Sequence, residues 1–213
     1  MIRLLLVGDH PVVRTGYQRL LEQAGDIAVV AQAARVDSAY AAFVAHQPDV
    51  TVTDLSMPGS GGLELIRRIL ARDAAARVLV FSMHDSALLV RRALEAGARG
   101  FLSKSSAPES LIEAVRAVHG GQRYLSDDLS PGLLERDIRH EAGQLESLTT
   151  REFEIFRLLA QGHSLAECAE TLNLSPKTLS NYQTQIKEKL GVSTSAAMVH
   201  LAIRNGVISS SGS

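Results

Sequence analysis

Apolar residues follow two alternating rhythms over residues 1–120 of the chain. Short, mostly apolar runs occur at Ile2–Val7, Ile27–Ala33, Val50–Asp54, Val78–Ser82 and Gly100–Ser103. The first and fourth are nearly unbroken, as strands buried on both faces are. Between them the apolar positions recur at helical spacing. Val12–Gln23 carries Val13, Tyr17, Leu20 and Leu21 and stops at Gly25; Ser38–His46 carries Ala39, Ala42 and Phe43. Leu63–Ala71 carries Leu63, Ile66, Ile69 and Leu70, and Ser86–Ala96 ends at Gly97. Ser106-Ala107-Pro108-Glu109 reads as a capping box with Pro in the first turn, opening a helix with Leu111, Ile112, Val115 and Val118. Five strand–helix units in succession predict a parallel, doubly wound α/β sheet with right-handed crossovers.

The pattern loosens over residues 121–146, where turn formers cluster. This stretch reads as a linker, partly helical, with Leu133–His140 as its candidate helix. Helical spacing returns over 147–208 without strands. Thr149-Thr150-Arg151-Glu152 and Ser164-Leu165-Ala166-Glu167 are further capping boxes, and Ser175-Pro176 places a cap ahead of a Pro in the first helical position. The helix after Pro176 has Leu179, Ile186 and Leu190 as its apolar stripe and stops at Gly191; a last helix starts after Ser193 or Thr194. Two short helices joined at Asn173-Leu174, the second longer and polar outside, predict a helix-turn-helix within an all-α four-helix domain. Residues 209–213 read as a disordered tail.

Charge changes this picture only locally. The net charge of −1 gives no overall attraction to nucleic acid or to an anionic membrane. From Thr149 onward bases exceed acids by one, but Lys177, Lys187 and Lys189 share one helix with a single acid, Glu188. That helix also carries Thr178, Ser180, Asn181, Thr184 and Gln185, able to reach phosphates and base edges. Cys168 is the single cysteine, so no internal disulfide is expected. The apolar run Ile2–Val7 is too short for a membrane span or a secretory leader, which makes a cytoplasmic protein with no membrane partner the expectation.

The candidate chemistry lies at the strand ends. Asp9 follows the first strand, Asp54 ends the third, Ser82 ends the fourth and Lys104 follows the fifth. All four fall on the carboxyl edge, where such sheets bind ligands. Two carboxylates, a hydroxyl and an ammonium converging there suit a metal-assisted phosphate site. Asp9 and Asp54 with a backbone carbonyl and waters suit Mg²⁺. Gly59, Gly61 and Gly62 are followed by no Lys-Ser/Thr pair, so they read as a turn and not as a phosphate-cradling loop. His10 and His84 lack metal-ligand spacing and read as structural or solvent-facing.

Residues 1–120 resemble a two-component receiver domain of flavodoxin-like fold. The resemblance rests on Asp9-His10-Pro11, Asp54-Leu55-Ser56-Met57-Pro58-Gly59, Ser82-Met83-His84-Asp85 and Gly100-Phe101-Leu102-Ser103-Lys104. It implies that Asp54 accepts a phosphoryl group from a sensor histidine kinase. It also implies that Asp9, Asp54 and the Ser56 carbonyl hold Mg²⁺, that Lys104 meets the phosphoryl oxygens, and that Ser82 and Phe101 form a switch in which Phe101 rotates inward. Leu148-Thr149-Thr150-Arg151-Glu152-Phe153-Glu154-Ile155, with Ser175-Pro176-Lys177-Thr178-Leu179, resembles the LuxR-type DNA-binding domain. Together the two parts resemble the NarL/FixJ class of response regulators. That resemblance implies base contacts from Ser180, Asn181 and Thr184 and phosphate contacts from Lys177, Thr178, Tyr182 and Lys187. It implies double-stranded DNA as partner, and a homodimer in the active form through the last helix. No enzymatic turnover is implied.

One residue departs from the receiver pattern. Gly8 stands where a second acid is expected ahead of Asp9. Losing an outer-shell partner weakens metal affinity by roughly 10–100-fold, so weak Mg²⁺ binding and slow phosphorylation by small phosphodonors are expected. The alternative reading is a receiver-type regulator with weak or no phosphorylation that works through protein–protein contact. A phosphohydrolase using Asp54 as nucleophile ranks last, because Ser56 stands where that chemistry expects an Asp.

Overall fold

The computed structural model describes residues 1–57, 61–83, 85–126, 129 and 143–208. The expectations for Pro58, Gly59, His84, the Leu133–His140 helix and the tail lie outside those residues. The chain divides into two compact units, Met1–Asp85 with Val90–Ser130 and Ser86–Leu89 with Pro131–Ser213.

In chain order the first elements are β1 (Ile2–Val7), α1 (Pro11–Gln23), β2 (Ile27–Ala33), α2 (Val36–His46), β3 (Val50–Thr53), α3 (Gly61–Arg72), β4 (Val78–Ser82), α4 (Ala87–Glu95), β5 (Gly100–Ser103), α5 (Pro108–His119) and β6 (Tyr124–Leu125). The strands form one sheet in the order β2-β1-β3-β4-β5-β6, all parallel. The doubly wound α/β fold is therefore present, with one strand more than the predicted five. That strand, β6, lies inside the stretch read as linker. Two residues are too few to show a period, and the pairing depends on a missing side chain: a Cβ at Gly100 would stand 2.8 Å from the Tyr124 carbonyl oxygen.

The inner strands β1, β3, β4 and β5 are buried on both faces but for Arg3, which explains the unbroken apolar runs of β1 and β4. Leu4 and Leu6 of β1 join Leu21 of α1, Leu79 and Phe81 of β4, and Leu111, Val115 and Val118 of α5 in one core cluster. Each such buried side chain contributes roughly 1.5–3 kcal/mol of apolar burial. Leu5 and Val7 are buried between them in the β1 alternation. Gly25, at φ +78°, follows α1 as predicted. The predicted capping box ahead of α5 is not formed. The N-cap is Ala107, with no side-chain cap, and the Ser106 amide instead closes a turn onto the Ser103 carbonyl at 3.2 Å. Pro108 in the first turn fixes the start one residue past the point where a Ser106 box would begin.

The remaining elements are α6 (Gly143–Glu146), α7 (Thr150–Ala160), α8 (Leu165–Thr171), α9 (Pro176–Leu190) and α10 (Ser195–Arg204). Both predicted capping boxes are complete: Thr149 with Glu152 on α7, and Ser164 with Glu167 on α8. Ser175 caps α9, Thr194 caps α10, and Gly191 ends α9 in the left-handed conformation at φ +62°. Each side-chain cap is worth about 1 kcal/mol. Phe153 and Phe156 of α7, Cys168 of α8, Leu179 and Ile186 of α9, and Met198 and Ala202 of α10 are all buried. Glu152, Glu154 and Arg157 of α7 are buried as well, which the apolar pattern did not predict. Among the described residues no helix is long and apolar enough to cross a membrane.

Candidate phosphoacceptor site and nucleic-acid interface

The sheet order reverses at β1. The chain leaves it for β2 on one side, and β3 lies on the other. Ligands of open α/β sheets bind at such a switch point, beyond the strand carboxyl ends. Val7 pairs with Thr53, and the Asp54 amide donates to the Val7 carbonyl at 3.2 Å. Asp9 and Asp54 therefore leave neighbouring strands beside each other. Farther along, Ser82 pairs with Ser103, and the Lys104 amide donates to the Ser82 carbonyl at 2.9 Å.

From that anchor the Lys104 side chain reaches back to Asp54, with Nζ 2.5 Å from Oδ2. The two side chains are 13% and 7% exposed. The other oxygen of Asp54, Oδ1, accepts the Ser56 amide at 3.0 Å. Both oxygens of this buried group thus receive donors, as a polar group taken away from bulk water needs. Ser82 is fully buried at the end of β4, one strand away from Asp54. Phe101 is wholly buried on β5. An exposed-to-buried rotation of Phe101 is thus not open from this conformation.

Gly62 explains how α3 can start against the site. A Cβ there would stand 2.3 Å from the Asp54 carbonyl oxygen and 2.8 Å from the Leu55 Cα. The Gly62 amide donates to the Leu55 carbonyl at 3.3 Å. Gly62 therefore serves close backbone packing; it and Gly61 lie in the first turn of α3 and not in the turn expected for them, and Gly59 lies outside the described residues.

Two neighbours of the site make contacts that the sequence reading did not give. His10 Nδ1 lies 2.5 Å from Asp9 Oδ1, with the imidazole 73% exposed. Adjacency to Asp9 was the only signal for it. Arg14 Nη1 donates to the Gly8 carbonyl at 2.5 Å, and its Nε to Gln32 Oε1 at 3.3 Å. A Cβ on Gly8 would meet only the Arg14 Cγ, at 3.8 Å. Position 8 thus has room for a side chain, and a guanidinium stands over it.

Asp9, Asp54 and the Ser56 carbonyl would offer a metal ion only oxygen. Few protein ligands, all oxygen, suit a hard ion that keeps several waters.

On α9 the predicted outer face is outward. Lys177, Thr178, Ser180, Asn181 and Thr184 are exposed, and Tyr182 and Lys187 are half-buried beside the Leu179–Ile186–Leu190 stripe. The Thr178 and Ser175 hydroxyls lie 2.8 Å apart, and Thr184 Oγ1 donates to the Ser180 carbonyl at 3.1 Å. One part of the charge argument needs correction. Lys189 Nζ binds both carboxylate oxygens of Glu152 at 2.8 Å, so it fastens α9 to α7, and the outer basic cluster shrinks to Lys177 and Lys187. Cys168 is fully buried on α8 and its thiol is pushed up to about 11, by burial first and by Glu167 second. It is an inert small apolar residue.

A parallel sheet with a buried carboxylate–lysine pair at its switch point, followed by a capped helix-turn-helix, defines a two-component response regulator with its own DNA-binding domain. The chain belongs to the NarL/FixJ family of these regulators. Residues 4–116 match the response regulator receiver domain, and residues 146–202 match the bacterial regulatory proteins of the luxR family. The response regulator UvrY of Escherichia coli O6:H1 is 37% identical over 209 residues, covering 97% of this chain and 96% of UvrY. The transcriptional regulatory protein UhpA of Salmonella typhimurium is 40% identical over 200 residues, covering 94% of this chain and 97% of UhpA. Among solved structures, RcsB of Salmonella enterica serovar Typhimurium, bound to a promoter in the presence of the phosphomimetic BeF3−, has a TM-score of 0.72 at 28% identity, covering 94% of this chain and 97% of RcsB. The family is one of transcription regulators, and the match over 146–202 does not favour a helical module that works through protein contacts alone.

Proposed function

We propose that phosphorylation of Asp54 switches this regulator, and that the switch controls dimerisation and the binding of double-stranded DNA by α9. The observation that carries the reading is the Asp54–Lys104 pair at 2.5 Å, buried at the sheet's switch point. A sensor histidine kinase is the donor: an Asp54 carboxylate oxygen forms the new bond to phosphorus as the phosphohistidine P–N bond breaks and the imidazole leaves. Lys104 moves from the carboxylate to a phosphoryl oxygen, and the Ser82 hydroxyl donates to another. Asp9, Asp54 and the Ser56 carbonyl would hold Mg²⁺, which when bound would supply positive charge against the phosphoryl oxygens. Because Ser82 and Lys104 are already joined through the backbone, movement of Ser82 is passed to the end of β5. Phe101 then repacks from one buried position to another. Pairing two half-site readers, with α10 as the dimer face, raises the affinity of a module with only two free lysines on its reading helix. A cytoplasmic protein is the reading that both partners support.

Beryllofluoride with Mg²⁺ should tighten binding to a promoter duplex by the wild-type chain and leave Asp54→Asn unchanged. An Asp54→Asn protein that still responds would overturn the switch. Lys177→Ala and Lys187→Ala should each flatten the salt dependence, by about 0.9 in log–log slope for every phosphate left without its lysine. Unaltered slopes would overturn the DNA reading.

A further inference from the structure

Along α9, residues 177, 181, 184 and 188 recur at helical spacing on the side opposite the buried Leu179–Ile186–Leu190 stripe. They are Lys177, Asn181, Thr184 and Glu188, and all four are exposed. Ser180 and Gln185 flank this line.

Their hydrogen-bonding states differ in a way the sequence does not show. The Thr184 hydroxyl spends its proton on the Ser180 carbonyl of its own helix, so the group Thr184 presents outward for readout is chiefly its methyl. Asn181 has its side-chain amide bonded to no described residue, leaving a donor and an acceptor side by side. No arginine occurs on the helix, and of its lysines Lys189 is held by Glu152 and Lys187 is half-buried. Lys177 stands in the first turn, where the helix dipole and free amides draw phosphate. The guanine-reading side chains are therefore absent or occupied along the middle of the stripe. One turn beyond Thr184, Glu188 opposes close approach of the phosphate backbone and ends the readable segment.

We infer that α9 is built to read A·T pairs in the major groove: Asn181 pairs with the N6 and N7 edge of an adenine, and the Thr184 methyl packs on the C5-methyl of a thymine at a neighbouring pair. This rests on the proposal that α9 enters DNA. It adds the class of base pair and the residue that reads each. Asn paired with adenine, and apolar contact with the thymine methyl, are the groove contacts these two groups can make.

The test selects half-sites from randomised duplexes with the full-length chain, Mg²⁺ and beryllofluoride, then measures affinity for the recovered duplex. A·T pairs should dominate the selected core. Replacing the read adenine by 7-deazaadenine removes N7 and should weaken the wild type clearly, while Asn181→Ala, itself weaker by roughly 10–100-fold, should be indifferent to it. Replacing the thymine by deoxyuridine removes one methyl and should cost the wild type about fourfold. Thr184→Val should keep that discrimination and Thr184→Ser should lose it. Selection of G·C pairs, equal affinity for thymine and deoxyuridine, or a preference moved by Gln185→Ala and not by Asn181→Ala would each overturn the inference. Salt-dependent binding without base preference overturns this inference alone. Binding indifferent to Lys177→Ala, Lys187→Ala and salt overturns the DNA reading beneath it.

Discussion

Two buried carboxylates in this chain each hold a lysine, and they are built for opposite purposes. Glu152 on α7 takes Lys189 on both oxygens at 2.8 Å, and one of those oxygens also accepts the Thr149 amide at 2.7 Å, closing a capping box. Asp54 takes one lysine at 2.5 Å and one amide at 3.0 Å, on different oxygens. It does so beside the Asp9 carboxylate and close to a buried Ser56 hydroxyl with no partner among the described residues. Glu152 is satisfied by three hydrogen bonds, from two groups that have no other task. Asp54 is satisfied by groups that can be given up. The first arrangement fixes two helices together. The second leaves a carboxylate ready to exchange its lysine for a phosphoryl group, at a cost in local stability that functional sites commonly carry.

The matched isosteric changes Asp54→Asn and Glu152→Gln break this comparison most directly. Asp54→Asn should abolish phosphorylation, read by intact mass after treatment with a small phosphodonor. Its effect on stability should stay within about 1 kcal/mol, because the isosteric amide keeps an acceptor for the Ser56 amide and replacing a buried ion pair by a neutral group also removes a desolvation cost. A larger loss in calorimetry would mean that the Asp54 pair is architectural after all. Next in size is Gly8→Asp. The space over Gly8 accepts a side chain, and a further carboxylate should raise Mg²⁺ affinity by roughly 10–100-fold in a calorimetric titration. Equal affinities would show that Arg14, already on the Gly8 carbonyl, cancels the added charge. Gly62→Ala forces a Cβ to within 2.3 Å of the Asp54 carbonyl oxygen, and overpacking of this kind costs about 1–3 kcal/mol. Phosphorylation by a small phosphodonor should slow along with the fall in melting temperature; an unchanged rate would show that the acceptor tolerates a shift of its backbone.

How much of this was legible in the sequence follows from the range of each signal. Strand ends were legible because a buried parallel strand is an apolar run, so Asp54, Ser82 and Lys104 could be placed on one edge before any coordinates. Caps at Thr149, Ser164 and Ser175 were legible because a capping box is local. Ser106 misled for the same reason: its pattern is right, but Pro108 and the turn onto Ser103 place the cap at Ala107. Contacts between elements carry no local signature. The Glu152–Lys189 pair spans 37 residues, and periodicity counts both as surface charges. Arg14 over Gly8 and β6 against Gly100 are invisible for the same reason. At Phe101 a position was legible and a conformation was not, since no pattern of residues records which side of a strand's motion is populated.

The smallest effect tests the other half of the comparison. Glu152→Gln keeps an acceptor for the Thr149 amide, so the capping box survives and only the charge against Lys189 is lost. Lys189 is 39% exposed and recovers water, which limits the cost to about 1 kcal/mol. Its pH dependence identifies the cause. Burial pushes the Glu152 carboxyl up, but the Lys189 ammonium and the Thr149 amide and hydroxyl together hold it below its ordinary 4.5. A carboxyl lowered in the folded state adds stability that is fully present above the unfolded value and is lost as pH falls through the folded one. Glu167 is also held low, by its Ser164 box, so the wild type alone would mix two titrations. The difference between wild type and Glu152→Gln removes the Glu167 contribution, which both proteins share. That difference, measured by denaturant unfolding of the full chain, should be flat from neutral pH down to about 5 and shrink below about 4.5. A difference that persists unchanged at pH values where Glu152 is protonated would mean that the carboxylate acts through its shape and packing, and that Lys189 holds α9 to α7 by something other than charge.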